Sequence, residues 1–507
     1  MKGSNPSLSA IFSYVQTIPN LHLTFTPYFY NILMENIKAI HWFRQDLRIS
    51  DNPALFEASK HAEVLPIYIL DDQNSGEFSM GEASRFWLHN SLDDLYKNLN
   101  QNLSLYKGDP LETLLDIINR FKIDEVYWNR CYEPWRIKRD TQIKSKLESK
   151  GVLVKTFNGS LLWEPWTIKK DDGSPYKVFT PFYRKGCLNS KEPRIPLPNA
   201  DISNYLSDKN HSLELSELSL IPSVRWDIPM HSFWNIGEAG AYKRLSDFIN
   251  KGIQHYKEGR NFPSKPFVSR ISPHIHFGEL SPNQAWYLAK NQGSNKNIDH
   301  FLSELGWREF SYSQLYFNPD LPRKNLQTKF DHFPWENNLD NLIAWQKGKT
   351  GVPMVDAGMR ELWQTGSMHN RVRMIVGSFL VKNLLLNWHH GERWFWNCLV
   401  DADLASNSAS WQWVAGCGAD AAPYFRIFNP VTQGEKFDPE GEYIKKYIPE
   451  LSNLPNKYLY SPWEAPKEVL TEANIVLGKD YPKPIVELKA SRERALEAFK
   501  SLKKEEA

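Results

Sequence analysis

The feature that most constrains this chain is a change of hydrophobic period before its midpoint. From Ile37, short apolar runs at residues 39–43, 64–70, 103–106, 125–128 and 152–157 alternate with longer segments of helical spacing, such as 82–98 and 111–121. Such alternation predicts a parallel sheet with helices on both faces. After Trp234 the strand-like runs stop, and residues 240–256, 282–290, 299–316, 340–347, 353–364, 370–388 and 391–399 all carry helix-type periodicity with short links. The expected architecture is an N-terminal doubly wound α/β domain, residues 34–165, joined by a long linker, 166–233, to an all-α domain, 234–465, with a charged, solvated helical tail, 466–507. A chain of 507 residues is expected to form two or three cores rather than one. Residues 1–33 keep no period, and Met34 is expected to be the functional start, with the extension dispensable.

Two segments break this pattern. The loop after the first strand carries Arg44, Asp46, Arg48 and Asp51 at the edge where open sheets bind ligands, yet neither a GxGxxG nor a Walker loop is present. In the linker, the island Lys177, Val178, Phe179, Thr180, Pro181, Phe182, Tyr183 is too aromatic for free chain and is expected to dock onto a domain.

A formal net charge of +2 argues against a protein that binds polyanions by bulk charge, and leaves a local basic patch possible, so nucleic acid stays open. Cys131, Cys187, Cys398 and Cys417 are scattered, with no CxxC pair or neighbouring His at ligand spacing. Neither a disulfide framework nor a metal site is indicated, and a reducing, cytoplasmic location fits. No run of about 18 apolar residues suggests a membrane span, and no signal peptide is recognisable.

Residues 368–433 combine ionisable or amide side chains with large aromatics. If 368–388 is one helix, spacings of three and four put Asn370, Arg373 and Met374 on one face: an amide, a fixed cation and a soft thioether. If 403–413 is another, Asp403, Asn407 and Trp411 line a second polar and aromatic stripe. Such faces suit a flat, polar, polarisable ligand. Upstream, Ser269, Arg270 and Ser272 supply hydroxyls and a charge just before a helix start, as a phosphate site without a glycine loop does. Glu304, Trp307 and Arg308 share a further helix face.

Seven pieces in order resemble the DNA photolyase/cryptochrome family, specifically the class I cyclobutane pyrimidine dimer photolyases. They are the stretches from His41 to Arg48, Val268 to Ser272, Glu304 to Phe310, Lys349 to Ala357, Met368 to Met374, Asp401 to Trp413 and Asn429 to Phe437. The resemblance runs over residues 37–460. It implies a deoxyribodipyrimidine photo-lyase, a flavoprotein that uses blue or near-ultraviolet light to split pyrimidine dimers in DNA by electron transfer from excited reduced FAD to the flipped-out dimer. The all-α domain would bind FAD through Tyr256, Ser269, Arg270, Ile271, Ser272, Asn370, Arg373, Asp401, Ala402, Asp403 and Asn407. Glu304, Asn370 and Met374 would act on the dimer. Arg260, Trp307, Arg371, Trp413, Gln433 and Lys436 would hold the lesion and its phosphates, and Trp335, Trp388 and Trp411 would carry an electron from the surface to the flavin.

The resemblance also implies an antenna chromophore in the N-terminal domain, a folate or a deazaflavin, although Tyr132-Glu133-Pro134-Trp135 does not match a folate-binding acidic pattern. A monomer acting on dimer-containing DNA is expected. Ser367 and Val268 depart from the family's usual aromatic and hydroxyl residues. The alternatives are a cryptochrome photoreceptor, disfavoured by Asn407 where a Cys or Asp would stand and by the short tail, and a (6-4) photolyase, disfavoured by Asn370 and Met374 where histidines would stand.

Overall fold

The apolar runs become five parallel strands, β1 (Lys38–Phe43), β2 (Glu63–Leu70), β3 (Ser104–Lys107), β4 (Glu125–Asn129) and β5 (Leu153–Phe157), in the order β3-β2-β1-β4-β5. This comes from a computed structural model that describes residues 37–60, 62–421, 423–424 and 426–505. The expected extension 1–33 and the start at Met34 lie outside those residues. Register is set from the central strand, with Ile40 opposite both Leu65 and Val126. Helices α1 (Pro53–Ala58), α2 (Glu82–Asn98), α3 (Pro110–Phe121) and α4 (Pro134–Glu148) flank the sheet. Their packing gives two apolar layers, one around Phe43, Phe86 and Trp87, the other around Trp42, Ile117 and Trp128. Both faces of the sheet are thus dry, as a doubly wound sheet requires. The ends of α1 and α3 are written locally: Asn52 and Asp109 cap them through their side chains, each followed by Pro at the first helical position.

The loop after β1 is not open to a ligand. Arg48 donates to the carbonyl of Gly278 at 2.8 Å and to that of Gly159, while the backbone N–H of Leu47 donates to the carbonyl of Phe277. Asp51 accepts from Ser281, and Glu238 accepts from the N–H groups of Ile49 and Ser50. Arg48 and Asp51 therefore bind the two halves of the molecule together, whereas Arg44 and Asp46 pair with Asp140 and Asn129 inside the N-terminal domain.

The second half includes α5 (Glu238–Lys251), α6 (Ser272–Phe277), α7 (Pro282–Lys290), α8 (Lys296–Phe317), α9 (Pro353–Thr365), α10 (Asn370–Ser378), α11 (Trp388–Cys398), α12 (Leu404–Ala415), α13 (Pro430–Phe437) and α14 (Glu442–Tyr447), with a further helix at Leu339–Gln346, where the spacing predicts one, and short helices and turns between. One expectation fails here. Residues 368–388 are not one helix: α10 gives way to a π-helical turn, Phe379–Asn383, Leu385 sits at a φ of 53°, and Asn387 caps the new helix that begins at Trp388. The tail is not merely solvated either. Helix α15 (Leu488–Glu505) buries Ala495 and Leu502, and Ser491 and Arg494 hydrogen-bond Asn383.

The linker is bound along much of its length. Just before it, Glu309 accepts from the N–H groups of Leu162 and Trp163, and its aromatic island lies along α8, where Phe179, Phe182 and Tyr183 join the core that α8 shares with α5 and α7. Further on, the linker bonds the sheet edge, with Leu206 N–H donating to the Val64 carbonyl and Leu213 N–H to that of Leu105. No helix among the described residues is long and apolar enough to cross a membrane.

Candidate functional site

A cavity of about 840 Å³ opens between α6, α8, α10 and α12. That volume is in the range of small-molecule and cofactor sites, roughly 300–1,000 Å³. Its wall includes Tyr256, Ser269, Arg270, Ile271, Ser272, Asn370, Arg373, Asp401, Asp403 and Asn407, ten of the eleven residues expected on the cofactor, together with Arg260, Glu304, Trp307, Arg371, Met374, Trp411 and Trp413. Ala402 is the exception. It is buried and faces a second, much smaller cavity beside Phe277 and Leu404, because the residues either side of it turn the opposite way.

One end of the wall is a set of fixed polar groups. Arg373 donates to both carboxylate oxygens of Asp401 at 3.1 Å, and Ser272 donates to the same carboxylate at 2.6 Å. Asp403 is the N-cap of α12 rather than a residue within it, accepting from the Ser406 N–H at 2.7 Å. Burial opposes its ionisation, but His276 at 3.6 Å, Arg308 and the Tyr312 hydroxyl hold the carboxyl well below the usual range. Asn407 donates its amide to the Glu392 carbonyl at 3.0 Å, which fixes the flip and leaves the side-chain oxygen as an acceptor. Glu392 itself accepts from Ser408 at 2.6 Å, and burial pushes its carboxyl up to about 8.

The other end is cationic. Arg270 lies 3.8 Å from Glu361, beyond hydrogen-bond reach, so its donors are not spent on that partner. Arg371 has no carboxylate within 4.0 Å among the described residues; it donates to the Asn261 side-chain oxygen and lies 4.4 Å over the Phe437 ring. Burial and the charges of Arg270, Arg260, Arg371 and Arg373 depress His369 to about 3, so the imidazole is neutral, and its Nδ1 accepts from the Arg371 N–H. Glu304 is held by Arg260 in a two-pronged ion pair, with His300 accepting from the same guanidinium at 2.8 Å.

Gln433 and Lys436 lie outside the cavity wall, on α13. Gln433 has a buried side-chain oxygen with no hydrogen-bond partner among the described residues, and Lys436 is exposed beside Phe437. Trp335 and Trp388 also lie off the wall. Trp411 is the one tryptophan of the expected chain that reaches it, and it packs edge-on against Phe395 at 5.0 Å. Trp388 is fully buried, stacks on His389 at 3.7 Å and donates its indole N–H to Asn325. Trp335 is half-buried beside Phe333. Glu392, His276, Tyr312 and Asn261 were not singled out from the sequence; they act through residues that were, and no local pattern marks them.

A model described as DNA photolyase matches residues 39–199, and one described as the FAD binding domain of DNA photolyase matches residues 301–501. A deoxyribodipyrimidine photo-lyase from Agrobacterium fabrum is 45% identical over 482 residues, spanning 93% of this chain and 99% of that protein. The chain belongs to the DNA photolyase/cryptochrome family. Within that family, cryptochrome-2 of Arabidopsis thaliana is 37% identical, over 91% of this chain and 78% of its own. The crystal structure of a bacterial class III photolyase from Agrobacterium tumefaciens superposes with a TM-score of 0.87 at 44% identity, covering 92% of this chain and 98% of that one. These relatives carry the family, the fold and the FAD-binding domain; because photolyases and cryptochromes both stand among them, the subclass is not decided by them.

The wall fits the cofactor of that domain. Guanidinium donors of Arg270 with no hydrogen-bond partner among the described residues and the Ser269 hydroxyl suit a diphosphate, while the Asn407 oxygen and the Arg373–Asp401 pair, which Ser272 also joins, suit the edge of a flat heterocycle. The smaller cavity, lined by Trp42, Arg44, Glu133, Trp135 and Arg139, is about 50 Å³. That is far below the roughly 300 Å³ at which small-molecule and cofactor sites begin, so a fused-ring chromophore does not fit there without side-chain movement.

Proposed function

We propose that this protein repairs cyclobutane pyrimidine dimers in DNA under light. The observation that carries the reading is that residues suited to a flavin and residues suited to a flipped-out dimer line one continuous cavity, with Glu304, Trp307, Met374 and Trp413 on the same wall as Arg373, Asp401 and Asn407. Reduced FAD, when bound and excited, supplies the single electron that opens the cyclobutane and takes it back afterwards.

The chain's own groups do the rest. Arg270 and Ser269 hold the cofactor's phosphates, with Tyr256 and the backbone of Ile271 and Ser272 closing that end, while the Ser272 hydroxyl stays on Asp401. Arg373 is oriented by Asp401 and offers a cation beside the ring system, which favours a reduced, anionic ligand. Asn407 presents an acceptor to a ring N–H because the Glu392 carbonyl occupies its amide. Trp307 and Trp413 offer apolar faces to a lesion that stacks and pairs poorly in the duplex, which lowers the cost of extruding it. Glu304 and Asn370 steady the lesion's polar edge, and Met374 packs on it. Arg371, Gln433 and Lys436 flank the mouth and meet the DNA backbone, which makes binding salt-dependent. Trp335, Trp388 and Trp411 would carry an electron from an external reductant at the surface to oxidised cofactor, restoring its reduced form, while the repair cycle itself consumes no electron. We further propose that the protein works as a cytoplasmic monomer and takes a folate or deazaflavin antenna, with the binding residues unassigned.

A cryptochrome-type photoreceptor is the second reading, favoured by the identity to Arabidopsis cryptochrome-2. The two separate on one experiment: irradiation of reduced protein with dimer-containing DNA restores intact pyrimidines if the chain is a photolyase, and leaves the dimers in place if it is a photoreceptor.

A further inference from the structure

The linker backs the wall of the cavity at Trp307 in a way that none of the residues assigned above accounts for. Phe179 is buried and lies flat on the indole of Trp307, with ring centroids 3.8 Å apart and planes 11° from parallel. Phe310 meets the same indole edge-on at 5.7 Å. Trp307 lines the cavity. One face of the indole is therefore taken by the linker, and its orientation is fixed from behind by two rings.

The linker is anchored on both sides of that contact. Tyr183 fills the gap left by Gly306, where an added Cβ would come within 2.5 Å of the tyrosine ring, so glycine at the position before Trp307 is what lets the linker lie against α8. Arg184 makes a two-pronged ion pair with Asp299 at the start of α8, and Gln314 near its end donates to the Tyr176 carbonyl at 3.0 Å. The Phe179 N–H donates to Asp420 at 3.0 Å. Asp420 follows Gly418 and Ala419, both of which line the cavity, so the same residue that backs Trp307 also ties down the loop opposite it.

We infer that Phe179 is a positioning residue for substrate selection: it holds the Trp307 indole as a rigid platform, and this sets how strongly dimer-containing DNA is preferred over undamaged DNA. The inference rests on the photolyase reading, in which Trp307 meets the extruded lesion. A flat aromatic contact of this kind contributes more than its buried area alone, and its loss corresponds to a two- to tenfold change, on the order of what aromatic pairs contribute in mutant cycles.

The test uses full-length, FAD-loaded protein in the dark. Dissociation constants for a dimer-containing oligonucleotide and its undamaged twin are measured for wild type, Phe179→Leu and Phe179→Tyr, with flavin absorbance per protein recorded for each. Phe179→Leu is expected to lower the preference for dimer DNA by about two- to tenfold, through weaker dimer binding, with flavin content unchanged. Phe179→Tyr, which keeps the stacked ring, is expected to retain the wild-type ratio. An unchanged ratio in Phe179→Leu overturns the inference, as does a loss of flavin alongside it, since either would make Phe179 a packing residue only. A wild type with no preference for dimer DNA removes the photolyase reading and this inference with it.

Discussion

Glu304 shows how a single residue's partner changes what its removal should do. Its carboxylate is held by Arg260, so Glu304→Ala deletes a group facing the lesion and also releases a guanidinium at the cavity wall. The first loss is expected to lower repair yield more than affinity for the dimer, because it removes a hydrogen bond to the charged form of the lesion, an interaction of ~1.5–3 kcal/mol. The second is expected to raise affinity for undamaged DNA and to steepen its salt dependence by about one phosphate contact. Repair yield and salt-titrated binding of the variant check both, and an unchanged yield contradicts the role given to Glu304. The sequence showed Glu304, Trp307 and Arg308 on one face by spacing alone. It could not show Arg260 as the partner, because the two are brought together only when the short helix at Tyr256–Gly259 packs on α8.

At the scale of elements, the proposed tryptophan relay turns on how α11 meets α12. Gly391, one turn beyond Trp388, packs so closely on Trp411 that an added Cβ would lie 2.1 Å from its ring. The helix that begins at one indole therefore presses directly on the next. Short steps between indoles suit an electron relay, and Trp411→Phe is expected to slow photoreduction of oxidised protein by an order of magnitude or more, ~10-fold, while sparing repair by chemically pre-reduced protein, since rate follows barrier at about 1.4 kcal/mol per tenfold. Equal loss of both would count against the relay. The spacing of residues 368–388 suggested one continuous helix, and the break at 379–387 was hidden because a π turn keeps apolar residues facing inward. The face carrying Asn370, Arg373 and Met374 survived that error, since α10 alone holds all three.

Across the whole molecule, the layout was legible because periods of two and of 3.6 are properties of sequence, whereas the burial of charges is a property of assembly. The strand order turns on the pairing of β1 with β4, and the docking of the linker and the seam made by Arg48 and Asp51 depend on partners more than a hundred residues away. Burial of carboxylates also gives the folded state a pH dependence. Glu392 titrates near 8 when folded, against 4.5 when exposed, and Glu309 near 7, in each case because burial disfavours the charged form. A folded state that binds protons more tightly than the unfolded one loses stability as pH rises, here from about pH 5 through pH 8. Glu392→Gln is accordingly expected to flatten the fall in melting temperature over that window, and a slope identical to wild type would contradict the assignment. The central claim is tested most directly by dimer content. Reduced protein is mixed with dimer-containing DNA and divided between blue light and darkness, and the dimers remaining are counted. The account predicts their disappearance in light and persistence in the dark; persistence in both would contradict it.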